Sequence, residues 1–144
     1  MKTALTAGLL AISSPAFADD MIKASPLSVT ETIDGLVAAV EGAGATVFAR
    51  VNHKAGAMSV DKDIADAQLL IFGNPALGTL AMEQDLRAGL VLPLRVLAYT
   101  DTDGNTQMIW TPAADMFAGL DVSADVAAKV DGALNGLTSK AIGN

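Results

Sequence analysis

Apolar and polar positions along the chain change period several times, and each change marks an element. Ile33, Leu36, Val37 and Val40 recur at i, i+3, i+4 and i+7, the stripe of an amphipathic helix. Ser28 and Glu31 have capping-box spacing ahead of it, and Gly42 and Gly44 stop it. Over residues 45–53 the period falls to two. Val47, Ala49 and Val51 take one face, and Phe48, Arg50 and Asn52 the other, which predicts a half-buried strand. Residues 54–66 are small and polar, a loop with a short helix. Residues 69–72 form a compact apolar run, a buried strand, and Gly73-Asn74-Pro75 turns the chain. A second helix is predicted from Gly78 or Thr79 to about Ala88, with Leu80, Met82 and Leu86 facing inward. Pro93 separates it from a strand over 94–100. Asp103-Gly104 is a hairpin signal, and the return strand covers 106–111 before Pro112. A short helix is predicted over 113–120. Ser123 caps a last helix in which Val126, Val130, Leu134 and Leu137 share a face. Residues 19–27 read as a linker or first strand. The order fits an α+β two-layer sandwich: a β-α-β-β-α-β-β sheet with helices on one face, and a C-terminal helix within 123–144.

The first 18 residues have the three parts of a secretory signal. Lys2 supplies the positive end, residues 4–12 a short apolar run, and Ala16-Phe17-Ala18 the small residues that a signal peptidase reads. The apolar run is far short of the roughly 20 residues that span a bilayer. The expected mature protein starts after Ala18, is periplasmic, and has no membrane span. Its main domain is expected over 28–122.

Nine Lys+Arg stand against 16 Asp+Glu, a formal net charge of −7, and removal of Lys2 makes the excess of acid larger by one. No basic cluster offsets it, so nucleic acid and anionic membrane surfaces are disfavoured partners. The chain has no cysteine, which excludes disulfides, thiol catalysis and iron–sulfur clusters. With one histidine, His53, a two-histidine metal site within one chain is excluded too.

Four ordered blocks of sequence carry a family likeness. They are the capped helix starting at Ser28-Val29-Thr30-Glu31, the stretch from Thr46 to His53, the stretch from Leu69 to Pro75 with Gly78-Thr79, and the stretch from Leu92 to Tyr99; the Asp103-Gly104 turn completes them. On these the chain, from Ser28 to about Val122, resembles a bacterial and archaeal family known as domain of unknown function 302. The resemblance implies a compact α+β fold and a homodimer, and implies no established activity. Lys54 departs from the small residue the family usually places after the histidine. A ligand site at His53 would be more polar here than in relatives.

Among candidate chemistry His53 is the most informative residue, placed where a strand gives way to a loop. A lone histidine can act as a general base or as one axial ligand to haem; its structural alternative is a capping or dimer-packing role. Met58 follows five residues later, and thioether sulfur suits low-spin haem iron or Cu(I), although methionine more often fills core gaps. The leading expectation is a homodimeric, exported ligand-binding protein. Haem is the cofactor to test, with His53 as its ligand and Met58 as a weaker one. The pocket wall is expected from Phe72, Asn74 and Pro75 and from the strand over 92–99. The alternatives are a hydrolase or isomerase with His53 as general base, and a structural dimer with no small-molecule site. The run from Gly73 to Thr79 has two glycines but lacks the lysine of a phosphate loop; only a weaker option of a small anion at the helix start near Thr79 remains. Asp101, Asp103 and Asn105 begin like a calcium loop, but Thr106 and Pro112 stand where glycine and an acid are required. Ser59 with His53 and an aspartate lacks any nucleophile-elbow context.

Overall fold

The computed structural model describes residues 21–144; the predicted signal segment lies outside the described residues. The elements are β1 (Met21–Ser25), α1 (Val29–Gly42), β2 (Thr46–Asn52), α2 (His53–Met58), β3 (Ala67–Gly73), α3 (Pro75–Gln84), a 3₁₀ turn (Leu86–Leu90), β4 (Leu94–Thr100), β5 (Thr106–Trp110), α4 (Ala113–Met116) and α5 (Ala124–Ala141). The five strands form one antiparallel sheet in the order β1-β5-β4-β3-β2. This is the α+β sandwich that the sequence predicts.

Alternation along β3 and β4 sorts the sheet into two faces. Leu70 pairs with Val96 and Phe72 with Leu94, and all four are buried beneath the helices. Ala98 pairs with Met108 on that same buried face. α1 covers it with Ile33, Leu36 and Val40, and α5 with Val126, Val130 and Leu134. The C-terminal helix thus packs in its own domain, beside α1. Trp110 is core.

Caps set the helix starts. The Ser28 hydroxyl accepts from the Glu31 amide at 3.2 Å, and the Glu31 carboxylate accepts from the Ser28 amide at 3.0 Å, closing the capping box. Asn74 caps α3 through its side chain, and Pro75 occupies the first turn, where the missing N–H costs nothing. α3 therefore starts three residues before Gly78 and ends at Gln84, followed by the separate 3₁₀ turn. The single helix predicted to about Ala88 is two elements. Of its expected inner residues, Leu80 and Met82 pack against the core, whereas Leu86 is 82% exposed.

β2 departs from strict alternation. Val47 pairs with Phe72 but Ala49 pairs with Ile71, so Phe48 is the extra residue of a β-bulge. Val47 consequently shares a face with Arg50, while Ala49 and Val51 turn to the other side. Arg50 reaches the helix layer, where its guanidinium donates to Asp34 of α1 at 2.6 Å and to Gln68 at 2.8 Å.

β1 is a true strand, and one side chain ties it to α5. The Lys23 ammonium donates to the Asn135 carbonyl and side chain, to Thr138 and to Ser139 at 2.7–3.1 Å, and lies 5.5 Å from the Trp110 ring centre. Burial pushes this ammonium below the ordinary lysine value. A second tie holds the 3₁₀ turn to the loop before α5. The Asp85 carboxylate accepts from the Arg87 side chain and amide and from the Asp121 amide. The Gln84 side chain accepts from the Ser123 amide at 2.6 Å. Arg87 first, then the two amides, hold the Asp85 carboxyl far below the usual carboxylate range.

Two outcomes test this packing. Gly35 faces α5 so closely that a β-carbon there would overlap the Ala141 carbonyl. Gly35→Ala is expected to lower unfolding free energy by about 1–3 kcal/mol in urea titration, although alanine is the better helix former; a stabilised variant would refute the close approach. For Asp85, the depressed folded value means that its stabilisation is present above the ordinary carboxyl value of 3.8 and is lost as pH falls below it. Asp85→Asn should therefore be less stable than the parent at neutral pH, with the gap narrowing below about pH 4. A gap of constant size from pH 7 to pH 2 would contradict that tie.

Candidate functional site

His53 is not the last residue of a strand but the first of α2. Asn52 caps the helix, its side chain accepting from the Ala55 amide at 2.9 Å. His53 is exposed, and among the described residues no side-chain hydrogen bond or ion pair involves its imidazole. Its neighbour Lys54 pairs with Asp66 at 3.3 Å, which gives the unusual lysine a local structural role. Met58 is 63% exposed at the other end of the same short helix.

Phe72, Asn74 and Pro75 lie elsewhere. β2 and β3 run antiparallel, with Thr46 opposite Gly73 and Asn52 opposite Gln68. His53 is therefore at one end of this pair and Asn74 at the other, about 20 Å apart at roughly 3.3 Å per strand residue. Within one subunit the structure does not bring His53 and Met58 to the expected pocket wall.

That wall is real. Phe72 is buried, Gly73 follows, and the Asn74 side chain accepts from the Ala76 amide at 2.9 Å to start α3. Between α3, the 3₁₀ turn and the ends of β3 and β4 lies a hollow of about 310 Å³. Its walls include Phe48, Pro75, Leu77, Met82, Leu92 and Leu94, with Val130 of α5 also lining it. Asn74 and Thr79 supply side-chain polarity. Gly73 brings the backbone close to Phe48: a β-carbon on it would stand 3.2 Å from the ring. A second hollow of about 290 Å³ adjoins the first, with Gly73, Asn74, Leu77 and Leu94 common to both. It continues between the C-terminal ends of α1 and α5, along Gly132 and Gly136 to Lys140. The Asp85 and Gln84 contacts anchor the roof of the first hollow to the loop before α5.

The remaining candidates resolve into structure. Gly78 and Thr79 lie inside α3, whose start is at Asn74 and Pro75, so no helix start lies near Thr79 to hold an anion. The Asp101 carboxylate accepts from the Asp103 and Asn105 amides at 2.9 and 2.8 Å and from Gln107 at 3.0 Å. Gln107 first, and then the turn amides, lower its pKa; this carboxylate organises a hairpin. Among the described residues no group of three or more His, Cys, Asp or Glu side chains could hold a metal ion. Sequence reasoning did not find Phe48, Met82 or Lys140 as site residues. Phe48 is the extra residue of the bulge, which leaves no period of its own in the sequence. Met82 and Lys140 come to the site through the packing of α3 and α5.

Comparison with known proteins places the chain. A stretch of 107 residues is 38% identical to a Brucella suis biovar 1 (strain 1330) protein named fluoride-specific ion channel FluC 1, covering 71% of this chain and 41% of that protein. A Brucella abortus biovar 1 (strain 9-941) protein of the same name is 38% identical over 107 residues, of which it has 38% of its length matched. The chain thus spans about two fifths of these relatives. The crystal structure of an uncharacterized conserved DUF302 protein from Bacillus stearothermophilus superposes with a TM-score of 0.77, covering 85% of this chain and 97% of that one. At 17% identity that likeness speaks for the fold alone. The model of the family described as domain of unknown function DUF302 matches residues 21–140, α5 included, and the protein belongs to that family.

Proposed function

We propose that this is an exported binding protein for a small, largely apolar molecule, held in the paired hollows beneath the β3–α3 turn. One observation carries the reading. An open, almost wholly apolar hollow of about 310 Å³ lies beside the sheet's end and adjoins a second of about 290 Å³. Concave, mostly apolar sites with a few convergent polar groups are the usual form of a ligand pocket. A purely structural dimer gives no reason for such a hollow. The general-base reading of His53 lacks an oriented acid partner among the described residues. Haem held by His53 would need a site other than these hollows, such as one built by two subunits around α2. The channel activity named for the Brucella relatives is not carried over. The match covers two fifths of those proteins, and no described helix is long and apolar enough to cross a membrane.

The homodimer is part of the proposal, and the uncovered sheet face supports it. Directly paired residues share a face, and the pairs Ile22–Ile109, Ile109–Leu97, Leu97–Leu69 and Leu69–Val51 run across all five strands. Ile71 and Tyr99 flank this aliphatic row. A continuous apolar band with no helix over it among the described residues is the kind of surface that a second sheet covers.

Titration with the neutral fluorophore N-phenyl-1-naphthylamine tests the site. Saturable binding is expected, unchanged in His53→Ala and weakened at least tenfold in Gly78→Leu. The added side chain would project where a β-carbon meets only Leu92, at 3.7 Å, and leucine favours the helix over glycine. Non-saturating fluorescence, or loss in His53→Ala alone, would defeat the reading. Haemin in the same assay examines haem directly, because a saturating Soret band that vanishes in His53→Ala would move the site to α2. For the dimer, sedimentation equilibrium should give two subunits for the parent and one for Leu97→Lys with unchanged circular dichroism. A monomeric parent, or a dimeric variant, would count against the sheet face.

A further inference from the structure

The second hollow differs from the first in one respect: a cation stands at its end. Lys140 lines it and is exposed. Among the described residues no salt bridge or hydrogen bond engages its ammonium; Lys23 and Lys54 are paired, and of the unpaired lysines Lys62, Lys129 and Lys140 it is Lys140 that lines this hollow. The rest of the wall is nearly all apolar or glycine: Ala39, Ala43, Phe72, Leu77, Gly132 and Gly136 among them. Gly132 and Gly136 face open space, since a β-carbon added at either meets no atom within 4 Å. An unbranched chain could lie along this glycine-floored side of α5. In a protein with 16 acidic against nine basic residues, a lone unpaired ammonium at the end of an apolar trough is a local exception to the prevailing charge.

We infer that the ligand is an anionic amphiphile, a carboxylate with an unbranched alkyl chain. Its head pairs with Lys140, and its chain runs past Leu77 toward Met82 in the first hollow. This rests on the binding role proposed above and names its substrate class. A hydrogen bond to a charged group is worth more than a neutral one, while an ion pair open to water is worth little, which sets the expected effect at several-fold. Lys140 also lies in the last turn of α5 and near Gly42 at the end of α1, where a positive charge complements both helix dipoles. That role affects stability and does not discriminate between ligands.

Displacement of N-phenyl-1-naphthylamine by decanoate and by 1-decanol, both below micellar concentrations, tests the inference on the full mature protein. Lys140→Gln should weaken decanoate about three- to tenfold and leave decanol unchanged. Raised salt should weaken decanoate in the parent alone. Gly136→Leu, which fills the second hollow with a better helix former, should weaken decanoate while the fluorophore still binds in the first. If the fluorophore binds the parent but decanoate affinity is the same in all three proteins, the head-group assignment is wrong and the apolar site stands. If neither fluorophore nor decanoate binds the folded parent, the binding role itself fails, and the assignment with it.

Discussion

The whole arrangement depends on a five-stranded antiparallel sheet that the described helices cover on one face. Every strand but β2 alternates without a break, so a residue's parity decides whether it meets the helix layer or the open side. Leu70, Phe72, Val96 and Met108 are buried because α1 and α5 lie across them. Those two helices can both fit over a sheet this narrow because Gly35 lets α1 approach the backbone of α5 at Ala141. With a side chain at that position the helices must separate, and the buried face opens. Lys23 fastens the outer strand to α5 in the same layer, exchanging the hydration of one ammonium for four protein acceptors.

The hollows arise where this coverage runs out. Toward the start of β2 and β4 the layer is made by α3, whose one fully buried residue is Ala81 and whose Leu77, Leu80 and Met82 are only partly buried. These side chains leave open the space over Leu94 and beside Phe48. The 3₁₀ turn that follows is secured by Asp85 and Gln84 to the loop before α5. It therefore stands off as a roof rather than collapsing inward. The same glycines that leave α5 without a filled flank near its C-terminal end extend the space toward Lys140. The binding reading and its amphiphile form follow from this one shortage of side-chain volume.

How much of this was legible in the sequence depended on whether the signal was local. Capping boxes, helix stripes and the Asp103-Gly104 hairpin act within a few residues, and they located α1, β4, β5 and α5 closely. Phe72, Asn74 and Pro75 were legible as neighbours because a strand, a turn residue and a proline follow one another directly. Gly73-Asn74-Pro75 reads locally as a turn, whereas the Asn74 cap makes Pro75 the first residue of α3. His53 was placed at a strand end, and Asn52 instead caps a helix there. Nothing local reveals that β2 and β3 run oppositely, so that His53 and Asn74 fall at opposite ends of the pair. The bulge at Phe48, the contact at Gly35 and the arrival of Lys140 are tertiary facts, invisible to any window along the chain.

The most direct measurement is an amide chemical-shift titration of the isotope-labelled protein with N-phenyl-1-naphthylamine. The account predicts that the perturbed amides cluster at Gly73, Leu77, Gly78, Gly89 and Leu94, while those of His53, Lys54 and Met58 stay in place. Perturbations centred on α2, with the β3–α3 turn unmoved, would contradict it.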